Sequence, residues 1–181
     1  MYLDRPFTYR TGWARLAAGI LDYIIMVLFS TVVLGLHLFS DSIWVVLTVV
    51  TLVALGPPAY TVISHAKFGC TVGKYFLNLR VYNMEGKLPG WSRAAIRDCG
   101  PLILAIYLTY HQCGLAISGV SVAQVYDYPT KANPLLGLAA FFWFLLEIMT
   151  MLYHRRRRAL HDLVAGTQVI RFSRAEEVES P

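Results

Sequence analysis

Residues 16–39 read LAAGILDYIIMVLFSTVVLGLHLF, and Asp22 is the one charged side chain in this run. A helix needs about 20 predominantly apolar residues to cross the hydrocarbon core of a bilayer. The run meets that length, and its apolar residues surround the helix instead of forming one stripe, which indicates burial on all sides. We therefore predict a membrane-spanning helix here.

Three more segments have the same character, at residues 43–64, 100–123 and 134–153. Of the 181 residues, 56% are hydrophobic and 15% are charged, whereas soluble domains have about 25% charged residues. The surplus apolar surface is expected to face lipid. The sequence thus predicts an all-α membrane protein, a bundle of four transmembrane helices at 16–39, 43–64, 100–123 and 134–153.

The basic residues predict the orientation of this bundle. Of the 16 Lys and Arg residues, 15 lie in the N-terminal arm up to Arg15, in the 66–97 segment or after the fourth predicted span, and the other is Lys131. Basic residues near the ends of spans stay in the cytoplasm. We expect a multi-pass protein of the cell (inner) membrane with both termini cytoplasmic. Topology then accounts for the net charge of +5, and nucleic acid is not expected as a partner.

A small β element is predicted on the cytoplasmic side. Residues 77–82 alternate between apolar and polar, and the turn-forming residues 83–86 follow them, which is typical of a strand and a turn. Residues 166–170 are a second strand candidate after the fourth span. We interpret residues 1–172 as one membrane domain and predict that residues 173–181 form a disordered cytoplasmic tail.

Several patches together resemble the RDD family of bacterial membrane proteins, which is named for one arginine and two aspartates. The patches are ARLAAGILD at 14–22, GCTVGK at 69–74 with LRV at 79–81, and RALHDLVAGT at 158–167. The resemblance covers nearly the whole chain and places the family arginine on Arg15 and the aspartates on Asp22 and Asp162. One departure is a longer, plainer third-span region that ends in residues 126–133. The resemblance implies an integral membrane protein, and sodium/proton antiport is proposed for some members.

The intramembrane charges carry the functional hypotheses. Arg15 and Asp22 are seven residues apart, so they lie on nearly the same helix face, about 10 Å apart along the axis. Such a set is either an ion pair that fixes helix packing or a proton- or cation-binding carboxylate. Glu147 lies at a similar predicted depth in the fourth span, and we hypothesise that Asp22 and Glu147 approach each other. Two close carboxylates would hold a proton or a cation, or Arg15 would lie between them.

Two further aspartates belong to the same predicted charge cluster. Asp98 follows Arg97 at the start of the third span, and Asp162 follows the basic run of the tail. Asp162 is expected either to tether the tail to Arg15 or Arg80, or to contribute to an ion site.

Other polar residues are candidates for a relay and for lipid binding. His111 and Gln112 in the third span are candidate proton-relay groups of the outer half, and helix packing is the alternative role for His111. Basic residues beside the spans are candidates for binding anionic headgroups, namely Lys74, Arg155, Arg156, Arg157 and Arg158.

The sequence does not favour an enzyme. Residues 69–74 lack the P-loop pattern, because Phe68 stands where the first Gly is required and Tyr75 where Ser or Thr is required. The three cysteines form no metal-binding or disulfide pattern. We therefore expect no catalytic residues, no metal and no cofactor.

Two functions remain open at this point. The first is cation or proton exchange through the intramembrane carboxylates. Four helices are too few to enclose an ion path well, so this function would require a homo-oligomer. The second is a non-transporting membrane adaptor or assembly factor, whose basic cytoplasmic surface binds a partner or anionic lipid.

Overall fold

The computed structural model describes residues 7–9, 11–40, 42–131, 134–154 and 157–172. The proposed tail at 173–181, as well as Arg155 and Arg156, lies outside these residues. The helices are α1 (Gly12–Gly35), α2 (Ile43–Phe68), α3 (Val72–Phe76), α4 (Gly90–Arg97), α5 (Cys99–Ile117), α6 (Val122–Lys131), α7 (Pro134–Tyr153) and α8 (Leu160–Val164). A 3-10 helix, Leu36–Phe39, extends α1, and the strands are β1 (Phe7–Thr8), β2 (Leu79–Asn83) and β3 (Thr167–Phe172).

Three described helices, α1, α2 and α5, are long and apolar enough to cross a membrane. Helix α7 occupies the fourth predicted position, 134–153, and its apolar stretch Phe141–Tyr153 is shorter than those three. Large apolar side chains of α1 lie exposed along its length, among them Tyr23, Leu28 and Val32. Exposed apolar surface on this scale is typical of a protein in lipid, so the prediction of a helical, multi-pass membrane protein is supported.

The third apolar segment ends earlier than predicted. Helix α5 ends at Ile117 and not at residue 123, because Gly119 adopts a φ of +78°, a conformation that ends helices. Helix α6 then begins after Ser121, whose carbonyl accepts hydrogen bonds from the backbone N–H groups of Gln124 and Val125. The predicted span 100–123 therefore combined one apolar helix with the start of a more polar one.

The predicted β element is present as a three-stranded antiparallel sheet of order β1-β3-β2. Its central strand β3 pairs with β2 in the register Val81↔Val169 and with β1 in the register Thr8↔Arg171. The turn after β2 is closed by Asn83, whose side-chain oxygen accepts from the backbone N–H groups of Glu85 and Lys87 at 2.9 Å each. The sheet thus joins the N-terminal arm, the segment after α2 and the tail.

The chain divides into two compact units. Unit 1 comprises residues 1–22, 63–97 and 147–181, and unit 2 comprises residues 23–62 and 98–146. The core of unit 1 contains Ala18 of α1 with Leu79, Val81 and Val169 of the sheet. The core of unit 2 contains Val46 and Val50 of α2 with Ala116 of α5 and Val125 of α6.

Helix α3 packs closely on α1 at Gly73. A Cβ atom on Gly73 would overlap the carbonyl oxygen of Ala18 and lie 3.0 Å from Cγ of Asp22. Both groups belong to α1, and the closest contact is with a backbone atom, which cannot move without distorting the helix. The absence of a side chain at residue 73 is therefore a packing requirement.

Gly73→Ala is expected to destabilise unit 1 by about 1–3 kcal/mol, the usual cost of forcing extra atoms into a packed site. Gly19→Ala is the control, because residue 19 lies on α1 with no atom within 4 Å of the added Cβ. The measurement is the unfolding midpoint of the detergent-solubilised protein in a denaturant titration. Equal midpoints for the two variants would contradict this packing.

Candidate functional site

Asp162 lies at the centre of a buried ion cluster in unit 1. Asp162 is 0% exposed. Its carboxylate accepts a hydrogen bond from the backbone N–H of Ala159 at 3.2 Å, and this bond closes the first turn of α8. An ionised carboxylate removed from water is costly unless cations and donors surround it. The surroundings of Asp162 therefore decide whether this position is tolerable.

Two arginines from distant parts of the chain neutralise this carboxylate. Arg15 Nη2 donates to Oδ2 at 2.6 Å, and Arg97 Nη1 donates to Oδ1. Thr167 Oγ1 lies 3.1 Å from Arg97 Nη1 and 3.2 Å from Asp162 Oδ1. The side chains of Arg15 and Arg97 are 9% and 2% exposed. We call Arg15, Arg97, Asp162 and Thr167 the Asp162 cluster.

The cluster keeps Asp162 ionised. Burial by itself raises the pKa of this carboxyl, but the charges of Arg97 and then Arg15 outweigh it and hold the pKa well below the ordinary range. The carboxylate does not take up a proton at any physiological pH. Asp162 is therefore expected to remain a fixed negative charge.

Arg157 and Arg158, which follow α7, also make contacts inside unit 1. Arg158 donates to the carbonyl oxygens of Thr167 at 2.9 Å and Asp162 at 3.0 Å. The carbonyl oxygen of Arg157 accepts from Arg15 Nη1 at 3.0 Å. Arg157 and Arg158 were candidates for lipid binding, and the structure shows that Arg158 contributes its guanidinium to the fold of the tail.

Glu147 and His161 form a second ionisable pair beside the Asp162 cluster. His161 Nδ1 lies 2.6 Å from Glu147 Oε1, and Nε2 lies 3.6 Å from Asp162 Oδ1. Burial lowers the pKa of His161, and the charge of Arg97 lowers it further, while Glu147 and Asp162 oppose the shift. The neutral ring is therefore favoured. Because a carboxylate can only accept, we place the ring proton on Nδ1, where it is donated to Glu147.

Asp22 has a structural role at the start of α3. Thr71 Oγ1 donates to its Oδ2 at 2.5 Å, and the backbone N–H of Gly73 donates to its Oδ1 at 2.9 Å. A carboxylate at the N-terminal end of a helix satisfies unpaired N–H groups and opposes their partial positive charge. Asp22 thus holds α3 against α1 through the same contact that requires Gly73.

Arg15 meets Asp162, one of the two tethers that the sequence predicted for the tail, and the other predicted charges make separate contacts. Arg15 donates to Asp162, whereas Asp22 accepts from Thr71 and Gly73 and Glu147 from His161. The hypothesis that Asp22 and Glu147 share a proton or a cation stays a prediction.

The remaining predicted residues lie elsewhere. Asp98 precedes α5 as its N-cap residue, and its carbonyl accepts from the N–H of Leu102 at 3.1 Å. In unit 2, Gln112 donates to the carbonyl of Val125 at 3.0 Å, and the His111 ring stacks on Tyr128 at 5.6 Å. These contacts match helix packing. Lys74 Nζ lies 2.6 Å from Nε2 of the buried His65.

Sequence reasoning missed Arg97 as a member of the site. The available signal was its position three residues after Ala94 on a short amphipathic helix, because both side chains then lie on one helix face. Both are buried in the structure. A buried arginine requires an acidic partner, but the sequence does not show which acid, since 65 positions separate Arg97 from Asp162.

A metal centre needs several His, Cys, Asp or Glu ligands close together. Within the part of the chain that the structure describes, no group of three or more His, Cys, Asp or Glu side chains is placed to hold a metal ion. The donors around Asp162 include two cationic guanidinium groups, which repel metal ions.

The RDD family model matches residues 9–166, which is most of the chain. The protein belongs to the RDD family. The match includes Arg15, Asp22 and Asp162, so the resemblance seen in the sequence is confirmed. In this RDD protein, the arginine binds the second aspartate, and the first aspartate caps α3. No curated protein and no solved structure matches the chain.

His161 is expected to make the stability of the RDD protein depend on pH. The unfolded chain binds a proton at His161 near pH 6.5, whereas the folded protein does so only at a lower pH. The unfolded state therefore binds more protons between these values, and stability falls as the pH drops below about 7, by at most about 1.4 kcal/mol per pH unit.

His161→Gln is expected to flatten this decline between pH 7.5 and 5.5, since glutamine can still donate to Glu147 but does not titrate. The measurement is the denaturant midpoint of each purified protein at several pH values. Lys87→Gln is the control, because Lys87 is exposed, and its curve should parallel the wild type. Parallel curves for all three proteins would contradict the role of His161.

Proposed function

We propose that this RDD protein is a four-span inner-membrane protein with both termini in the cytoplasm, and that it acts as a non-transporting adaptor or assembly factor. The observation that supports this role best is the Asp162 cluster. The family charges are engaged in contacts that hold segments of unit 1 together. A transport site requires charges that exchange partners during a cycle, and Asp162 remains ionised and buried.

The sheet supports the four-span topology. Strands β1, β2 and β3 pair with one another, and an open sheet cannot form across a bilayer, so all three lie on one side of it. Helices α1 and α2 separate β1 from β2. Between β2 and β3, α5 would cross once, and a second crossing is needed to return to the same side. Helix α7 is the apolar helix available for it.

The basic residues support a cytoplasmic location for that side. The positively charged segments are the N-terminal arm, residues 66–97 and the tail, and each contributes a strand to the sheet. By the positive-inside rule, this face is cytoplasmic. An adaptor of this kind would present a rigid basic surface to a cytoplasmic partner or to anionic lipid.

Cation or proton exchange is the second candidate. Glu147 and His161 favour it, because they form a hydrogen-bonded pair of titratable groups. Glu147 lies within α7, and His161 lies in α8. In this hypothesis, Asp22 and Glu147 bind the transported ion, and a homo-oligomer encloses the path.

Proteoliposomes that contain the purified protein distinguish the two functions. We expect the wild type, Asp22→Asn and Glu147→Gln to show the same sodium-driven proton flux as empty liposomes, measured with an internal pH-sensitive dye. An added sodium/proton ionophore verifies that the vesicles hold a gradient. Wild-type flux that either substitution abolishes would contradict the adaptor proposal and support exchange.

A further inference from the structure

Unit 1 exposes a group of large apolar side chains that its core does not use. Helix α3 has only five residues, yet Tyr75 and Phe76 are 60% and 70% exposed. Phe68, the last residue of α2, and Trp91 of α4 are also exposed. Such a concentration of exposed aromatic surface indicates contact with an apolar medium or partner.

Two cations lie directly on these aromatic rings. Lys67 Nζ is 5.9 Å from the centroid of the Trp91 ring, and Arg80 Cζ is 5.6 Å from the centroid of the Tyr75 ring. Both distances are in the range of cation–π contacts. Trp91 and Tyr75 are therefore each paired with a basic group, and the patch is both apolar and positively charged.

Contacts connect these residues into one surface. Arg80 Nη1 donates to the carbonyl of Phe68 at 2.7 Å, and Phe68 follows Lys67 in α2. The rings of Tyr75 and Phe76 are in edge contact at 6.0 Å. We call the continuous surface formed by Lys67, Phe68, Tyr75, Phe76, Arg80 and Trp91 the aromatic rim.

We propose that the aromatic rim lies in the headgroup layer of the membrane and binds anionic phospholipid through Lys67 and Arg80. The rim begins with the last two residues of α2, a helix that is apolar and long enough to cross the bilayer, and such a helix ends near the headgroup layer. Trp and Tyr concentrate at membrane interfaces, where their rings meet the acyl boundary and basic groups meet phosphate.

The same observations make lipid a better occupant than a protein. A lipid headgroup lies within reach of the end of α2 in every membrane, and the cation–aromatic pairs suit a phosphate group above an acyl chain. This inference rests on the proposed membrane topology and not on the adaptor role. Its failure would leave the result of the flux experiment unchanged, so the two proposals can fail separately.

The first test measures the depth of Trp91. The chain has four tryptophans, so the emission of Trp91 is obtained by subtracting the fluorescence of Trp91→Phe from that of the wild type. Both proteins are reconstituted in vesicles of phosphatidylcholine. Bromine on the acyl chains close to the headgroup is expected to quench this difference signal. Quenching by water-soluble acrylamide without quenching by the brominated lipid would contradict the proposal and indicate a surface that is free for a protein.

The second test measures lipid preference. Spin-labelled phosphatidylglycerol and phosphatidylcholine report the motionally restricted lipid around the reconstituted protein. Lys67→Gln is expected to lower the preference for phosphatidylglycerol about two- to fivefold, in line with the effect of one basic residue at an anionic surface. Lys67→Arg, which keeps the positive charge, should keep the wild-type preference for phosphatidylglycerol.

Lys87→Gln is the matched control for the second test. It makes the same chemical change at an exposed lysine beside Glu85, outside the aromatic rim, and should leave the preference unchanged. An unchanged preference in Lys67→Gln, or an equal loss in Lys87→Gln, would contradict headgroup binding at the rim.

Discussion

The buried carboxylate of Asp162 is the constraint on which the rest of unit 1 depends. It has no contact with water, so its charge must be balanced within the protein. Arg15 brings α1 to it, Arg97 brings α4, and Thr167 brings the first residue of β3. One negative charge thus fixes segments that lie far apart in the sequence, and the position of each depends on the other two.

The smaller contacts of unit 1 extend the same arrangement. Asp22 attaches α3 to α1 by binding Thr71 and Gly73, and Arg158 attaches the segment before α8 to the start of β3. The sheet then pairs the arm, the segment after α2 and the tail. These contacts connect the segments from which the proposed adaptor surface is built.

The sequence predicted those features that local pattern determines. Apolar runs located the long helices, alternation located β2, and residues 166–170 were a strand candidate that overlaps β3. Helix α5 was predicted too long because the apolar residues continue past Gly119, whose positive φ ends the helix. Arg15 and Asp162 were both identified as candidates, but the Asp162 cluster was not, since Arg97 meets Asp162 only in the folded chain. The burial of a charged side chain and its pairing with a residue far along the chain depend on tertiary structure, so local sequence patterns do not predict them.

A double-mutant cycle across Arg15 and Asp162 tests the central claim, that the family charges form a structural ion cluster. The free energy of unfolding is measured for the wild type, Arg15→Gln, Asp162→Asn and the double variant in mixed micelles. We predict that Asp162→Asn lowers the free energy of unfolding by about 3–5 kcal/mol, the usual result of breaking a buried ion pair. The double variant should lose clearly less free energy of unfolding than the two single variants lose together. Costs that add to within about 0.5 kcal/mol would contradict the claim.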